Sequence, residues 1–360
     1  MALTAPPSDA ALFRERGITL PSFQNYKPSK ELKGGHRLSV RGVAWSIDGR
    51  KLASCGADRS VRVWTPERSV DVRASTELRG HTESVDQLAW SPTAPDQIAT
   101  ASADKSVRIW DIRSAKATQV ISTPGSNINI AYHPHGHQVA VGDKADTISI
   151  IDVKMGRIVE TVQDRSRGPV EEINEFTWSP DGSLFLLTSG TGSIHIHDAR
   201  NPLEGDANTA KGAATRWSRL HTMVAHTANV FCIEMDPSSR YMATASADSM
   251  IGLWALDEWM SVRMSGSLSF PARSLSFSHD GEFLAAGGED PWIDISSVAT
   301  GNTVYKLPVT GMINTLAWHP SKLYLAYAGD EPPSTTASGG GGSAASSAAK
   351  DNGVIRIFGL

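Results

Sequence analysis

A repeated alternation of apolar and polar residues is the most regular feature of this chain. Three segments share a short apolar run, an Asp-containing turn and an alternating stretch that ends in Trp. They are KLASCGADRSVRVW (51–64), QIATASADKSVRIWD (97–111) and YMATASADSMIGLW (241–254). An apolar period of two residues is typical of a half-buried β-strand. Each segment therefore predicts two strands joined by a tight turn.

A second signature precedes these blocks. It consists of a predicted strand that ends in an aromatic residue, followed by a turn rich in Pro, Asp or Gly. The examples are VRGVAWSIDG (40–49), VDQLAWSP (85–92), INEFTWSPDG (173–182), ARSLSFSHDG (272–281) and INTLAWHP (313–320). Three predicted units also begin with a Gly-His or Ala-His pair, at Gly35-His36, Gly80-His81 and Ala225-His226. The two signatures together define a four-stranded unit.

The spacing of these units predicts an all-β, seven-bladed β-propeller. The ends of the predicted third strands fall at Trp64, Trp110, Ile151, His197, Trp254, Ser296 and Phe358. Successive ends are separated by 41 to 62 residues, which fits propeller blades once loops are included. One four-stranded unit cannot bury its own apolar faces, so seven units must stack around an axis.

The domain boundaries follow from this repeat. The chain ends at VIRIFGL, which matches a third strand and lacks a fourth. We expect the segment Ser29–Lys33 to supply the outer strand of the last blade, which would remove an exposed sheet edge. Residues 1–28 are predicted to be an extended tail, and residues 29–360 the propeller. An insertion at 201–219 separates units four and five, and the Gly-, Ser- and Ala-rich stretch 331–352 is predicted to be a flexible loop.

Composition narrows the class of protein. The 34 Lys and Arg against 38 Asp and Glu argue against a generally basic protein that coats nucleic acid. The first 120 residues carry 18 basic and 13 acidic side chains, so this part could meet an acidic partner or simply be a solvated surface. Two cysteines, Cys55 and Cys232, suggest a reducing compartment. No run of 18 apolar residues occurs, so we expect a soluble intracellular protein with no membrane contact.

The repeats resemble the WD40 β-propeller family over about nine tenths of the chain. Several stretches further resemble the WD-repeat subunits of the THO complex, part of the TREX assembly that couples transcription to mRNA export. These stretches are SVDQLAW (84–90), ATASADKSVRIWDIR (99–113), NINIAYHPHGHQVAVGDKADTISIID (127–152), VEEINEFTW (170–178), RSLSFSHDGEFLA (273–285), EDPWIDI (289–295) and LAWHP (316–320). The resemblance implies a nuclear, non-enzymatic scaffold without a cofactor or a small-molecule substrate. Its partners would be other THO subunits, and RNA would be contacted mainly through the complex.

Three sets of His, Ser, Asp and Trp resemble a hydrolytic triad. They are His36, Ser54, Asp58 and Trp64; His81, Ser102, Asp104 and Trp110; and His226, Ser246, Asp248 and Trp254. A triad is one nucleophile–base–acid set beside an oxyanion site, whereas these sets recur at the same repeat positions. We interpret them as structural hydrogen-bond networks, and we identify no catalytic residue. A propeller hydrolase would need an unrepeated acid–base set, which the sequence does not contain. Units three, four and six lack several of these groups and should be held mainly by packing.

Two histidine-rich stretches resemble metal sites. His133, His135 and His137 lie in YHPHGH, and His195 and His197 lie in SIHIHD. The first occupies a predicted hairpin turn, and His197 takes the position of the repeated Trp. Since no Cys or clustered carboxylate completes a tetrahedral set, the sequence predicts no metal.

The first strand of each blade should line the central channel. We expect the residue after its first apolar position to form a ring at the channel mouth, with the turn residues Arg59 and Lys105 on the same face. The ring positions are Arg41, Asp86, Ile128, Asn174, Phe231, Arg273 and Asn314. These residues differ from blade to blade, so the fold alone does not dictate them. A partner-binding rim explains this variety, and a solvated channel mouth is the alternative.

One short motif suggests a different function. Trp110, Asp111 and Arg113 form a W-D-x-R box, which resembles the box that some WD40 proteins present to the adaptor of cullin-RING ubiquitin ligases. The alternative function is therefore a substrate receptor of such a ligase. An exposed ion pair between Asp111 and Arg113 would explain the same residues.

Overall fold

Seven four-stranded antiparallel sheets, formed by the repeated apolar alternation, make up the molecule. The computed structural model describes residues 9–162, 172–200, 217, 219–330 and 353–359. In the first six sheets the strands follow chain order from the channel outward, and the seventh sheet contains both ends of the chain. The predicted seven-bladed β-propeller is confirmed.

The first four blades follow one another along the chain. Blade one consists of β2 (Val40–Trp45), β3 (Leu52–Gly56), β4 (Val61–Trp64) and β5 (Thr76–Leu78). Blade two consists of β6 (Val85–Trp90), β7 (Gln97–Ser102), β8 (Ser106–Asp111) and β9 (Lys116–Ser122). Blade three consists of β10 (Asn127–Tyr132), β11 (Gln138–Asp143), β12 (Ile148–Asp152) and β13 (Arg157–Val162). Blade four consists of β14 (Ile173–Trp178), β15 (Leu184–Ser189), β16 (Ser193–Asp198) and β17 (Arg219–Val224).

The remaining strands complete the ring. Blade five consists of β18 (Val230–Met235), β19 (Tyr241–Ser246), β20 (Ile251–Ala255) and β21 (Met260–Ser265). Blade six consists of β22 (Ala272–Phe277), β23 (Phe283–Gly288), β24 (Trp292–Ser297) and β25 (Thr303–Pro308). Blade seven consists of β26 (Met312–Trp318), β27 (Leu325–Asp330), β28 (Ile355–Gly359) and, as its outer strand, β1 (Lys27–Leu32).

The hydrophobic core is divided among the interfaces between blades. Seven clusters of buried apolar residues lie at the seven junctions between neighbouring blades. The cluster between blades seven and one, for example, contains Leu32, Trp45, Trp64 and Ile357. Each sheet therefore buries both faces against its neighbours, as the stacking argument requires.

The N-terminal strand closes the ring as predicted. Strand β1 pairs antiparallel with β28, with Pro28 opposite Phe358 and Leu32 opposite Ile355. Between blades seven and one, the side chain of His319, directly after β26, lies 2.9 Å from the carbonyl oxygen of Gly49. The first and last parts of the chain thus share one sheet.

The segment before β1 is not the extended tail that the sequence suggested. Residues Asp9–Glu15 form the short helix α1, and Phe23–Asn25 form a 3-10 turn. The ring of Phe13 stacks on Phe283 at 5.5 Å, and Phe23 meets the same ring edge-on at 5.1 Å. The groove between blades six and seven is lined by aromatic rings, so burying two Phe side chains there stabilises the docked segment. Residues 1–8 lie outside the described part of the chain.

The two predicted irregular segments lie mostly outside the described residues. Of the insertion 201–219, Trp217 is buried against Trp178 and Phe185, and Arg219 begins β17. The stretch 331–352 is not described. A second 3-10 turn, Val72–Ala74, precedes β5. In the described ranges, no helix has the length and apolar character needed to cross a membrane.

Candidate functional site

A β-bulge in the first strand of every blade builds the channel mouth. In blade one Val40 pairs with Gly56 and Gly42 pairs with Cys55, so that Arg41 between them has no partner in β3. The same one-residue skip occurs in all seven blades. The skipped residues are Arg41, Asp86, Ile128, Asn174, Phe231, Arg273 and Asn314. A bulge leaves its extra residue without a partner in the neighbouring strand and changes the direction of that residue's side chain.

These seven bulge residues, here called the mouth ring, all line one central cavity of about 460 Å³. Arg41 and Arg273 are exposed to solvent, and the other five residues are partly exposed. The predicted placement of the ring is therefore correct, and the bulge is a feature that the sequence pattern did not reveal. Its partner-binding role stays a prediction.

Charge on the mouth ring is uneven. The guanidinium of Arg273 lies 2.7 Å from Glu289 and 5.6 Å from the ring centre of Phe231. On the opposite side, burial raises the pKa of Asp86, an effect that its hydrogen bond from Ser84 and the nearby charge of Arg41 oppose. The mouth therefore offers separate cationic, anionic and aromatic groups to a ligand.

Arg59 and Lys105 lie at the same end of the blades as the mouth ring. Each is the positive-φ residue of the turn between the second and third strands, with φ of 69° and 62°. The amide of Ala57 donates to the Ser39 carbonyl oxygen at 2.9 Å, which ties the first of these turns to the start of β2. Arg59 also approaches Glu83 of the next blade at 3.9 Å. Both turn residues are exposed and lie on the predicted face.

Below the mouth ring lies a layer of buried and half-buried polar side chains that sequence reasoning missed. The Gln87 amide donates to Glu175 at 3.0 Å, and Asn129 donates to the Asn174 carbonyl oxygen at 2.8 Å. Burial raises the pKa of Glu175 to about 7. Burial, with repulsion from Glu175, raises the pKa of Glu234 to about 8. The channel floor is thus weakly charged near neutral pH, unlike the mouth.

The first predicted structural network is present in blade one. Trp64 Nε1 donates to Ser54 Oγ at 2.9 Å, and this oxygen lies 2.7 Å from His36 Nε2. His36 Nδ1 lies 3.2 Å from Asp58 Oδ1. All four side chains form a continuous chain of hydrogen bonds that links the loop before β2 to the turn after β3.

In blade two, the prediction that the Ser102 hydroxyl belongs to the network is wrong. Trp110 Nε1 donates to Thr100 Oγ1 at 2.9 Å, and His81 Nε2 lies 2.7 Å from the same oxygen. His81 Nδ1 is 2.8 Å from Asp104, as expected. Ser102, the residue predicted for this role, donates instead to the Ser84 carbonyl oxygen at 2.8 Å.

Blade five repeats this correction. Thr244 Oγ1 accepts from Trp254 Nε1 at 2.9 Å and lies 2.8 Å from His226 Nε2, while His226 Nδ1 lies 3.1 Å from Asp248. Ser246 bonds the Ala228 carbonyl oxygen and takes no part. A sequence signal was available, because the hydroxyl residue lies four positions before the Asp in all three blades.

In blades two and five, the pKa shifts favour an ionised carboxylate beside a neutral imidazole. Burial alone would raise the pKa of Asp104, but hydrogen bonds from Ser106, His81 and the Thr82 amide lower it to about 2. Burial lowers the pKa of His81 and of His226, against the attraction of their aspartates. Each imidazole ring nitrogen already has a partner, so these sets are occupied structural contacts.

Blade six carries a different polar core. The carboxylate of Asp294 is fully buried and accepts hydrogen bonds from three hydroxyl groups. The donors are Ser267 at 2.9 Å, Ser296 at 2.6 Å and Thr303 at 2.7 Å. This buried polar network adds to the apolar packing on both faces of blade six, which the sequence pattern had predicted to be its main support.

The histidines of β16 belong to the blade interior. His195 Nδ1 lies 3.2 Å from Thr222 Oγ1, and His197 Nδ1 lies 3.5 Å from the Trp217 carbonyl oxygen. Both are buried. By contrast, His133, His135 and His137 gather in the turn between β10 and β11 with one ligand nitrogen each within 4.8 Å of the others.

The W-D-x-R box contains the ion pair that was expected. Arg113 donates to both carboxylate oxygens of Asp111, at 3.1 and 3.0 Å, on the exposed surface. Trp110 is buried within the blade. The box therefore presents a charge pair whose two members already bind each other.

Comparison with known proteins agrees with this geometry. The family model described as the THOC3 beta-propeller domain matches residues 36–328. THO complex subunit 3 of Arabidopsis thaliana is 39% identical over 328 residues, which cover 90% of this chain and 93% of the relative. The WD repeat-containing protein AAC3 of Dictyostelium discoideum is 30% identical over 312 residues, covering 82% of this chain and 62% of the relative. Human striatin-4 is 30% identical over 237 residues, or 62% of this chain and 29% of that protein.

Proposed function

Because the chain belongs to the THOC3 β-propeller family, we propose that it is a scaffold subunit of the THO complex, which couples transcription to mRNA processing and nuclear export. It would act without catalysis, by holding other THO subunits in place. RNA would be contacted mainly through the assembled complex, and the site of action would be the nucleus. The family match favours this function over a ubiquitin-ligase receptor.

The observation that carries the mechanism is the mouth ring. Seven structurally equivalent bulges place seven side chains around one opening, and these include two arginines, an aspartate, two asparagines, an isoleucine and a phenylalanine. A purely structural position would repeat, as the His–Asp networks do. Charged and aromatic groups concentrated around a recess are suited to anchoring a protein partner.

The rigidity of the disc supports a scaffold role. Every blade is buried on both faces and the ring is closed by β1, so the mouth ring keeps its geometry when the protein is free. A preorganised surface loses little conformational entropy on binding. Several modest contacts in one multi-subunit assembly then add up through avidity.

The three networks that resemble a hydrolytic triad support a role without catalysis, because their polar groups are already bonded to one another. The Asp, His and hydroxyl groups are linked to one another and to a Trp indole in blades one, two and five. Their hydroxyl oxygens are buried among strands. Such groups stabilise the blades and have no open side for a substrate.

Charge reversal at the mouth ring tests the proposal. The double variant Arg41→Glu, Arg273→Glu should recover much less of the large THO subunits in a pull-down from nuclear extract. Loss of desolvated charge pairs at an interface costs about 2–5 kcal/mol, which lowers affinity more than tenfold. Circular dichroism and the melting temperature should stay close to wild type, because both side chains are exposed.

A matched control lies at the other end of the blades. Arg50 and Arg200 are exposed, with 82% and 71% of their side-chain surface accessible, and each neighbours an aspartate. The variant Arg50→Glu, Arg200→Glu should recover THO subunits normally. Equal recovery by all three folded proteins would place the interface elsewhere on the disc, while failure of the wild type to recover THO subunits would reject the proposed function itself.

A further inference from the structure

The turn between β10 and β11 carries three histidines on the face opposite the mouth ring. The amide of Gly136 donates to the His133 carbonyl oxygen at 2.8 Å, and the His133 amide donates to Gln138 at 2.9 Å. Gly136 has φ of +74°, a left-handed conformation that favours glycine. This tight turn brings His135 and His137 onto the same small surface as His133.

His133 is already bonded. Its Nδ1 accepts from the His135 amide at 3.1 Å, and its Nε2 lies 3.3 Å from the Gly182 carbonyl oxygen of blade four. The ring is buried and meets Trp178 edge-on at 4.6 Å. One ring nitrogen uses its lone pair to accept a hydrogen bond, and the other carries its proton toward a carbonyl oxygen. Neither nitrogen therefore has a lone pair left for a ligand. His133 therefore forms the wall of the cluster.

His135 and His137 are different. Both side chains are exposed, and no hydrogen bond to either ring occurs within the described ranges. Their ring centres are 6.1 Å apart and the planes are inclined by only 21°. Metal–nitrogen bonds of about 2.0–2.1 Å place two imidazoles on one ion with their centres about 5–6 Å apart. The ring of His137 lies against that of His133, with centres 4.1 Å apart, so a small rotation of the exposed His135 side chain toward it would complete this arrangement.

We propose that His135 and His137 chelate one divalent transition-metal ion of the kind that prefers imidazole, such as Zn²⁺. Water would fill the remaining coordination positions, since the wall residue His133 is bonded elsewhere. Imidazole pairs suit zinc, copper and nickel, whereas Mg²⁺ and Ca²⁺ require oxygen ligands. The site lies on the face opposite the mouth ring, so its test is separate from the pull-down that tests the proposed function.

Calorimetric titration tests this site directly. Tag-free full-length protein, stripped of metal and titrated with ZnCl₂ at pH 7.5, should show one saturable site. The double variant His135→Gln, His137→Gln should weaken binding at least about tenfold, the size of loss expected when metal-site residues are replaced. Both positions are exposed, so the variant should melt like wild type. MgCl₂ should give no binding heat.

A control variant separates this site from scattered surface histidines. His221 in β17 is also exposed, and His221→Gln should bind Zn²⁺ like wild type. Unchanged Zn²⁺ binding by His135→Gln, His137→Gln, or no saturable binding by the wild type, would overturn the assignment. Either result leaves the pull-down test of the mouth ring unaffected.

Discussion

A single hydroxyl oxygen joins an imidazole to an indole in blades one, two and five. In blade two this oxygen belongs to Thr100, which is fully buried and lies between His81 and Trp110. Ser102, two residues later on the same face of β7, satisfies the backbone of the preceding loop. The two hydroxyl groups thus have different hydrogen-bond partners, and removing either hydroxyl leaves its own partners without that hydrogen bond.

Thr100→Val should lower the free energy of unfolding by about 1–3 kcal/mol, because the Trp110 indole and the His81 ring lose a buried partner. Thr244→Val should do the same in blade five. Thr161→Val, at an exposed position of β13, should change stability by less than about 0.5 kcal/mol. Urea unfolding of these three variants and of Ser102→Ala gives the comparison. A larger loss for Ser102→Ala than for Thr100→Val would contradict the observed network.

At the scale of elements, the docked N-terminal segment depends on two aromatic side chains. Phe23 is 2% exposed and contacts the rings of Phe283, Tyr305 and Trp318. Arg16 adds a paired contact to the buried Glu282 of blade six. Since β1 follows directly, this segment joins blade six to the strand that completes blade seven.

Phe23→Ala should lower the free energy of unfolding by about 3–5 kcal/mol, the usual cost of truncating a buried aromatic side chain. We also expect faster proteolysis before Tyr26, since the segment would dock less firmly. The control is Phe270→Ala, because Phe270 is 51% exposed and its loss should have little effect. If denaturant midpoints of the two variants coincide, the N-terminal segment does not contribute to the closed ring.

At the scale of the whole molecule, ring closure creates the channel and the half-buried carboxyl groups that line it. Glu175 comes from blade four and Glu234 from blade five, and both line the central cavity. Burial raises the pKa of Glu175 to about 7 and that of Glu234 to about 8, well above the value of about 4.3 in an unfolded chain. The folded protein therefore holds protons that the unfolded chain releases.

Because the fold favours the protonated form of both carboxyl groups, their contribution to the free energy of unfolding is complete below about pH 4. This contribution is lost as the pH rises through 7 and 8. Glu234→Gln keeps a neutral group at every pH. The fall in melting temperature between pH 5 and pH 9 should therefore be shallower for Glu234→Gln than for wild type. The exposed Glu258→Gln should follow wild type. Parallel curves for all three proteins would mean that Glu234 is ionised throughout this range.

The sequence by itself determined the number of blades, the strand order within them and the closing strand. All three depend on local patterns, namely the two-residue apolar period, the Asp and Gly turns and their spacing of 41 to 62 residues. The residues of the mouth ring could also be predicted, because they occupy equivalent positions in the first strand of each repeat. The same period could not distinguish Thr100 from Ser102, since residues two apart share a face of the strand.

Only the tertiary structure decided which distant groups meet. The groove that holds Phe13 and Phe23 exists because blades six and seven pack together, and the channel carboxylates face each other because seven blades form a closed ring. Likewise, the turn geometry at Gly136 brings His135 and His137 together while His133 bonds blade four. Such contacts join residues from different blades or depend on backbone conformation, and neither leaves a periodic signal in the sequence.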